Sequence, residues 1–558
     1  MNRLITCTAL ICTVALLSAC SDSSGAATEQ QSTEQSTEQS TEQSTEQAAT
    51  ISGAPANLDE VRATVKEAHS VDDLSDDVTD LLLDGSSVTG GDGSVSAADG
   101  SVTITAAGTY RLSGEFDGTV IVAAADTDKV GIILDGVEIQ SVDGPALAVT
   151  SADEVTISLA EGTENVLADS AAYSDETDDA PNAALFSSAD LSITGNGSLS
   201  VTGLYNDAIA SKDGLVIESG TITVDAVDDG IRGKDYLVVK GGDIAITSGG
   251  HAMKSDNADD MTVGYIDIQG GQIVIDTGED GANAQTVLMA DTSVTISAAD
   301  DGIHADGYLV VDGATVTIDE SYEGLEGTVV AILDGTIDIT SSDDGINGST
   351  GDDVTSSTGD VIVYIGGGDT VIDAGGDGFD SNGNAEMTGG SLIIHGPTDS
   401  ANGAIDVDGT FTISGGTLYA AGASGMAQTP AADSAQGWVT AIVNATSGST
   451  ITIADAEGTE LDSFQAAQVS QNIVISVPGM VTGETYTVSV DGQQAAEVVA
   501  GQGGSAMGPG GMQGGVPGQR PGQVPGPGDG TDEGWGEGPQ SPTQEDPGAE
   551  ESADSETA

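Results

Sequence analysis

Cysteine is missing from the body of this chain. Its three cysteines, Cys7, Cys12 and Cys20, all fall within the first 20 of 558 residues. That excludes a disulfide framework or a cysteine-based metal site in everything that follows. Basic residues are scarce too: 11 Lys and Arg stand against 91 Asp and Glu, for a formal charge of −80. Such a chain repels phosphate backbones and anionic membrane surfaces, so nucleic acid is excluded as a partner. Counter-ions must relieve its self-repulsion, although a high-salt habitat would select the same composition. Aromatic residues make up 3%, so any core has to be built from small aliphatic side chains.

The ends of the chain do not read as folded structure. Arg3 precedes a largely apolar stretch from Leu4 to Leu17, too short to span a bilayer comfortably, and Leu17-Ser18-Ala19-Cys20 follows. This resembles a bacterial lipobox and implies cleavage before Cys20, lipidation of its thiol and display outside the cell membrane. An ordinary secretory signal is the alternative. Residues 21–57, with Ser-Thr-Glu-Gln repeated from Ser32 to Gln47, read as a disordered linker, and residues 501–558, rich in Gly, Pro and acid, as a disordered tail. In between, Leu58, Val61, Val65, Leu74, Val78, Leu81, Leu82 and Leu83 suit one or two short amphipathic helices. These predict an N-terminal cap over residues 58–93 that covers the first rung of whatever follows.

What the chain does have is a period. Nine short turns recur: Asn206-Asp207-Ala208, Asp228-Asp229-Gly230, Gly250-His251-Ala252, Glu279-Asp280-Gly281, Asp300-Asp301-Gly302, Tyr322-Glu323-Gly324, Asp343-Asp344-Gly345, Gly376-Asp377-Gly378 and Ala401-Asn402-Gly403. Their central residues are separated by 22, 22, 29, 21, 22, 21, 33 and 25 positions, the longer steps leaving room for inserted loops. A period in the twenties marks a stacked solenoid. Between the turns lie short alternating runs such as Leu215-Val216-Ile217, Thr221-Ile222-Thr223-Val224 and Thr315-Val316-Thr317-Ile318. The reading is all-β: a right-handed parallel β-helix over residues 94–436, closed by a small antiparallel unit over 437–500. A β-propeller is the alternative, but its blades need about twice this period.

A parallel coil stacks its turns about 4.8 Å apart. Carboxylates at that spacing repel by about 1 kcal/mol in water and about 3.5 kcal/mol at an effective dielectric of 20. An acidic column is therefore either well solvated or cation-bound. The glycine after most acids predicts left-handed turn conformations that aim carbonyl oxygens outward. Further oxygen ligands follow at Asp235, Asp256, Asp306, Glu326, Asn347, Asp380 and Asp406. Many hard oxygens and no thiolate point to Ca²⁺, with Mg²⁺ disfavoured because it keeps its waters. The expected ligands are Asp207, Asp228, Asp229, Asp235, Asp256, Asp280, Asp300, Asp301, Asp306, Glu323, Asp343, Asp344, Asp377 and Asp380. For any single repeat a solvated Asp-Gly turn explains the residues as well.

The segments Tyr205–Asp213, Asp228–Tyr236, Ala252–Asn257 and Asp300–Ala305 resemble the family of carbohydrate-binding proteins first described from a cellulolytic clostridium. The resemblance covers residues 88–500. It implies a pectate-lyase-like parallel β-helix, calcium in the acidic turns, and binding of cellulose and acidic plant polysaccharides. The chain departs from the pattern at His251 and at Ala282-Asn283-Ala284.

Three of the six lysines, Lys212, Lys234 and Lys254, follow successive turns. They are candidates to recognise a uronate carboxylate, to act as the base of a polysaccharide lyase, or simply to offset local charge. No repeated arginine accompanies them, which weighs against a lyase. Tyr236 and Tyr308 are candidate sugar-stacking platforms, with packing on the outer ladder as the alternative. The favoured reading is a monomeric, surface-anchored calcium-binding protein that holds polysaccharide without cleaving it. The alternatives are a lyase and a stalk with no sugar ligand.

Overall fold

Alternating apolar residues need a face to bury, and the coil supplies one on every strand. The structure, a computed structural model, describes residues 53–175, 177, 180–258, 262–350 and 361–503. The leader with Cys20, the linker to residue 52 and the tail from 504 lie outside these residues. The described chain is almost entirely β, and 37 strands join one continuous sheet system. Each rung contributes strands to three parallel ladders; one rung is Asp207–Ser211, Gly214–Ile217 and Thr221–Ala226, the next Ile231–Gly233, Tyr236–Val239 and Asp243–Ser248. This is a parallel β-helix, as the period predicts.

Register stacks like on like. Ile209, Ile231, Met253, Ala282, Ile303, Leu325, Ile346 and Phe379 form one inward column. Leu215, Leu237, Ile266, Val287, Leu309 and Val330 form a second. Ile222, Ile244, Ile273, Val294, Val316 and Ile337 form a third. All are buried in one continuous core, and the near absence of aromatic rings keeps that core narrow.

The glycines of the acidic turns serve space rather than handedness. None of Gly230, Gly281, Gly302, Gly324, Gly345 and Gly378 has positive φ, which corrects the expected left-handed turns. A Cβ on Gly302 would lie 2.5 Å from Ile318 Cδ1 and 2.6 Å from Gly324 O; one on Gly230 would lie 2.5 Å from Ile246 Cγ2 and 2.7 Å from Ala252 O. The rungs meet too closely there for any side chain.

The N-terminal segment also differs from expectation. Helix is confined to Leu58–Arg62, capped by the Asn57 side chain, and it does not cover the first rung. Leu58 and Val61 pack on Leu288, Val310 and Ala331, in the middle of the coil. The chain then runs lengthwise along the outer face as a strap. Val65, Ala68 and Val71 cover Val216, Tyr236, Val238 and Tyr265, and Ser75 N–H donates to Thr109 Oγ1 at 3.1 Å. Leu81 and Leu83 alternate inward on strand Val78–Gly85, which pairs in parallel with Gly108–Phe116. Their period of two, not a helical period, is what the core reads. Strand Ser87–Gly90 folds back antiparallel on Val78–Gly85, and Val95–Ala98 folds back on Ser101–Ile104. At the other end, Ser470–Ser476 pairs antiparallel with Thr417–Gly422 and Val439–Ala445, and Thr450–Ala454, Glu460–Gln465, Thr485–Val490 and Gln493–Val499 form a separate four-stranded antiparallel sheet.

Candidate functional site

The central residues of the repeated turns form a ridge along one edge, and several acids there use their two oxygens differently. One oxygen accepts the backbone N–H of the next turn: Asp229 from His251 at 3.1 Å, Asp280 from Asp301 at 3.0 Å, Asp301 from Glu323 at 3.1 Å and Asp344 from Asp377 at 2.7 Å. The repeating carboxylate is thus a staple between rungs as well as a ligand candidate. The other oxygen faces an adjacent outward column, aligned by register as Ala210, Arg232, Lys254, Asn283, His304, Glu326, Asn347, Asp380 and Asp406.

That column is graded in charge. Near Arg232 the ridge acids find cations and amides: Asp229 meets Lys254 Nζ at 3.1 Å, and Asp280 accepts from Asn283 Nδ2 at 2.7 Å and lies 3.3 Å from His251 Nδ1. Farther along, Asp301 Oδ2 lies 3.4 Å from His304 Nδ1. Beyond Asn347 the column offers only acid, at Asp380 and Asp406, facing Asp344 and Asp377. Burial, with repulsion from Asp344, Asp377 and Asp406, pushes the Asp380 carboxyl up to about 8. Burial raises Glu323 to about 8 and Asp344 to about 7, neighbouring acids adding to both. Asp207 rises to about 7, chiefly by burial and then by Asp229.

Asn347 decides what this end fits. Its amide nitrogen donates to Glu323 Oε2 at 2.9 Å, but its side-chain oxygen is buried with no hydrogen-bond partner. Its column neighbours are Glu326 and Asp380, which when ionised offer only acceptors. An orphaned carbonyl oxygen among carboxylates fits a hard cation. Among the described residues, the all-oxygen group whose ligand atoms lie within 4.8 Å of one another is Asp280, Asp300 and Asp301, and it would hold such an ion; Asn347 and Glu323 add an oxygen-rich position farther along.

The remaining predicted ligands divide. Asp228 and Asp343 are partly exposed and Asp300 is exposed, each at the outer position of its turn. Asp306 is exposed beside His304. Two are drawn away by basic residues: Asp235 accepts from Lys66 Nζ at 2.8 Å and Asn257 Nδ2 at 2.6 Å, and Asp256 takes Arg232 at 2.6 and 3.2 Å.

At the cationic end lies a cleft of about 440 Å³, lined by Asn182, Tyr205, Lys212, Arg232 and Lys234 among others. Lys212 and Lys234 occupy equivalent turn positions, Lys212 N–H donating to Ser187 O and Lys234 N–H to Ser211 O. The Lys212 ammonium sits 5.6 Å from the Phe186 ring centre. Lys254 stands apart from this pair, one column over and ion-paired to Asp229. Sequence reasoning missed Arg232. The signal was present: Ile231-Arg232-Gly233 and Met253-Lys254-Ser255 are the same three positions of successive repeats. The cleft is framed by Tyr205, stacked on Tyr173 at 4.2 Å. Tyr173 is fixed in turn by its hydroxyl, which donates to Asp169 at 2.8 Å.

The two tyrosines expected to receive sugar do something else. Tyr236 is 1% exposed; it stacks on Tyr265 and lies under the strap, its hydroxyl 2.8 Å from His69 Nδ1. Tyr308 packs beside Leu58 and Val61. Both belong to the outer ladder on which the strap rests; Tyr236 is closed to a polymer there, whereas Tyr308 stays partly exposed.

The fold and this edge together define the class: a parallel β-helix solenoid with an extended polar ridge, cationic at one end and acidic at the other. The chain belongs to the family of carbohydrate-binding domain-containing proteins, whose sequence profile matches residues 98–345 and 293–508. A carbohydrate-binding domain-containing protein of Acetivibrio thermocellus is 37% identical over 205 residues, 36% of this chain and 72% of that relative. Among solved structures, a polysaccharide lyase-like protein from C. thermocellum, described as a gadolinium derivative, aligns at 30% identity. That alignment covers 43% of this chain and 94% of that one, with a TM-score of 0.38.

Proposed function

We propose that this protein is an exported, lipid-anchored receptor that binds acidic polysaccharide along the ridge, with calcium in its acidic turns, and does not cleave it. The observations that support the calcium reading are the convergence of Asp280, Asp300 and Asp301 within 4.8 Å and the partnerless Asn347 oxygen beside Glu323. Bound there, Ca²⁺ supplies positive charge and open positions for further oxygens. The chain's own residues do the rest. Lys212, Arg232 and Lys234 offer cations to sugar carboxylates at one end of the edge. The N–H staples hold the ridge acids at fixed spacing. Lys254 is engaged with Asp229, which favours a binding role over that of a base. Lipidation at Cys20 would hold the domain at the outer surface of the membrane.

A binding panel of polygalacturonate, cellulose and a neutral soluble glucan, run with calcium and with chelator, tests the reading. The account predicts retention of polygalacturonate in calcium and weaker retention in chelator. It also predicts no ultraviolet absorbance from unsaturated uronate after prolonged incubation. Appearance of that product, abolished by Lys234→Ala or Lys254→Ala, would replace the binder with a lyase. Retention of no polysaccharide in either condition would leave a stalk.

A further inference from the structure

Two adjacent rungs of the ridge carry a ligand set that calcium does not prefer. His304 Nδ1 lies 2.5 Å from Glu326 Oε2 and 3.4 Å from Asp301 Oδ2, and ligand atoms of the three residues all lie within 4.8 Å of one another. Each group is oriented from behind. His304 Nε2 lies 3.5 Å from Asp306 Oδ1. The second oxygen of Glu326 accepts from Ser349 Oγ at 2.6 Å. The second oxygen of Asp301 accepts the Glu323 N–H at 3.1 Å. Asp301 is buried and the other two are half-buried, so the set is neither a loose surface cluster nor sealed from solvent. An imidazole backed by a carboxylate, beside carboxylates held by a hydroxyl and a backbone amide, is how metal sites fix their ligands. One nitrogen and two oxygens suit borderline cations such as Zn²⁺, Mn²⁺ or Co²⁺, whereas Ca²⁺ takes oxygen almost exclusively.

We infer that Asp301, His304 and Glu326 form a transition-metal site that prefers such cations to calcium and shares Asp301 with the all-oxygen group of Asp280, Asp300 and Asp301. The other ridge histidine does not duplicate it. His251 Nδ1 already accepts the Asp280 N–H at 3.3 Å, and its Nε2 faces only the more exposed Glu279, at 3.0 Å. The inference does not depend on calcium binding elsewhere, and its test separates the two.

The purified protein is titrated with Co²⁺ by calorimetry and visible absorbance, once without calcium and once with calcium in large excess to occupy the all-oxygen positions. The expected result is about one equivalent of Co²⁺ taken up in excess calcium, with ligand-field bands of a nitrogen-containing site. His304→Gln should weaken that uptake at least tenfold while leaving the melting temperature in calcium close to that of the parent. His251→Gln should keep it. Equal uptake by the parent and His304→Gln, or loss of all Co²⁺ binding on adding calcium, would overturn the site. Failure of calcium itself to bind would show in the calcium titration alone and leave the Co²⁺ result standing.

Discussion

A ridge aspartate with one oxygen on the next rung's amide and the other among acids is stabilising and destabilising at once. Asp380 lacks the first role, since no described backbone amide of a neighbouring turn donates to it, and it carries a carboxyl pushed up to about 8. Above pH 8, where this carboxyl is ionised, Asp380→Asn should therefore raise the melting temperature in chelator, by removing repulsion, and lower it in calcium, by removing a ligand; paired thermal melts read both signs. Gly302→Ala should destabilise in either condition by about 1–3 kcal/mol, the usual cost of forcing atoms into a filled space, as read by denaturant unfolding. Lys212→Ala, Arg232→Ala and Lys234→Ala should each weaken polygalacturonate binding by about 1.5–3 kcal/mol, the range for a hydrogen bond to a charged group, and more so at low salt. Unchanged affinity in all three would return the cleft to a structural role. Much at this scale was legible in the sequence. The recurring acid gave the ridge because one residue per rung must stack. The stapling role was not legible, since a carboxylate that binds an amide and one that binds a metal look alike in a string. Nor was the fate of Asp235 and Asp256, whose basic partners Lys66 and Arg232 are set by the strap and by register.

Among the elements, the strap departs most from what the pattern suggests. Leu58 and Val61 pack on Leu288, Val310 and Ala331, while Val65 packs separately against Tyr236 and Tyr265, so the apolar residues spread along the side of the coil instead of capping its end. Paired charges fix the path: Arg62 meets Asp267 at 2.9 Å, Lys66 meets Asp235 at 2.8 Å, and Asp72 meets Lys129 at 2.6 Å. His69 sits at its centre, its Nε2 2.7 Å from Ser192 Oγ. Burial pulls the His69 imidazole below its ordinary value, against the opposing pull of Asp190. With the folded value below the unfolded one, the unfolded form binds more protons in the interval between them. Docking of the strap therefore weakens as pH falls from about 6.5 through that interval. Limited proteolysis should cut within residues 62–77 faster at mildly acidic pH than at neutral pH, and His69→Gln should flatten that dependence. Cleavage independent of pH in the parent would mean that the strap is held by its apolar face and ion pairs alone.

The whole molecule carries a charge of −80 and has no cysteine beyond residue 20, and its most perturbed acids include Glu323, Asp344 and Asp380 in the second half of the ridge. Glu323, Asp344 and Asp380 have folded values above their unfolded ones, so the folded state binds more protons across the interval between them. Their protonated forms favour folding below about 4, and that advantage is lost as pH rises toward 8. In chelator the melting temperature should fall between pH 5 and 8 because of these groups, and saturating calcium should reverse the trend at the upper end, since an ion bound only to the folded state stabilises it. A melting curve unmoved by calcium at pH 8 and low salt would favour a composition selected by salt. Cys20→Ser should move the protein from the membrane fraction to the medium; retention in the membrane would require another anchor. The central claim is that calcium in the ridge and the basic cleft act together on an acidic polymer. Calorimetric titration of an oligogalacturonate into calcium-loaded protein, chelated protein and chelated protein resupplied with calcium tests this directly. The account predicts binding in the first, at least tenfold weaker binding in the second and recovery in the third. The same affinity in all three would contradict it.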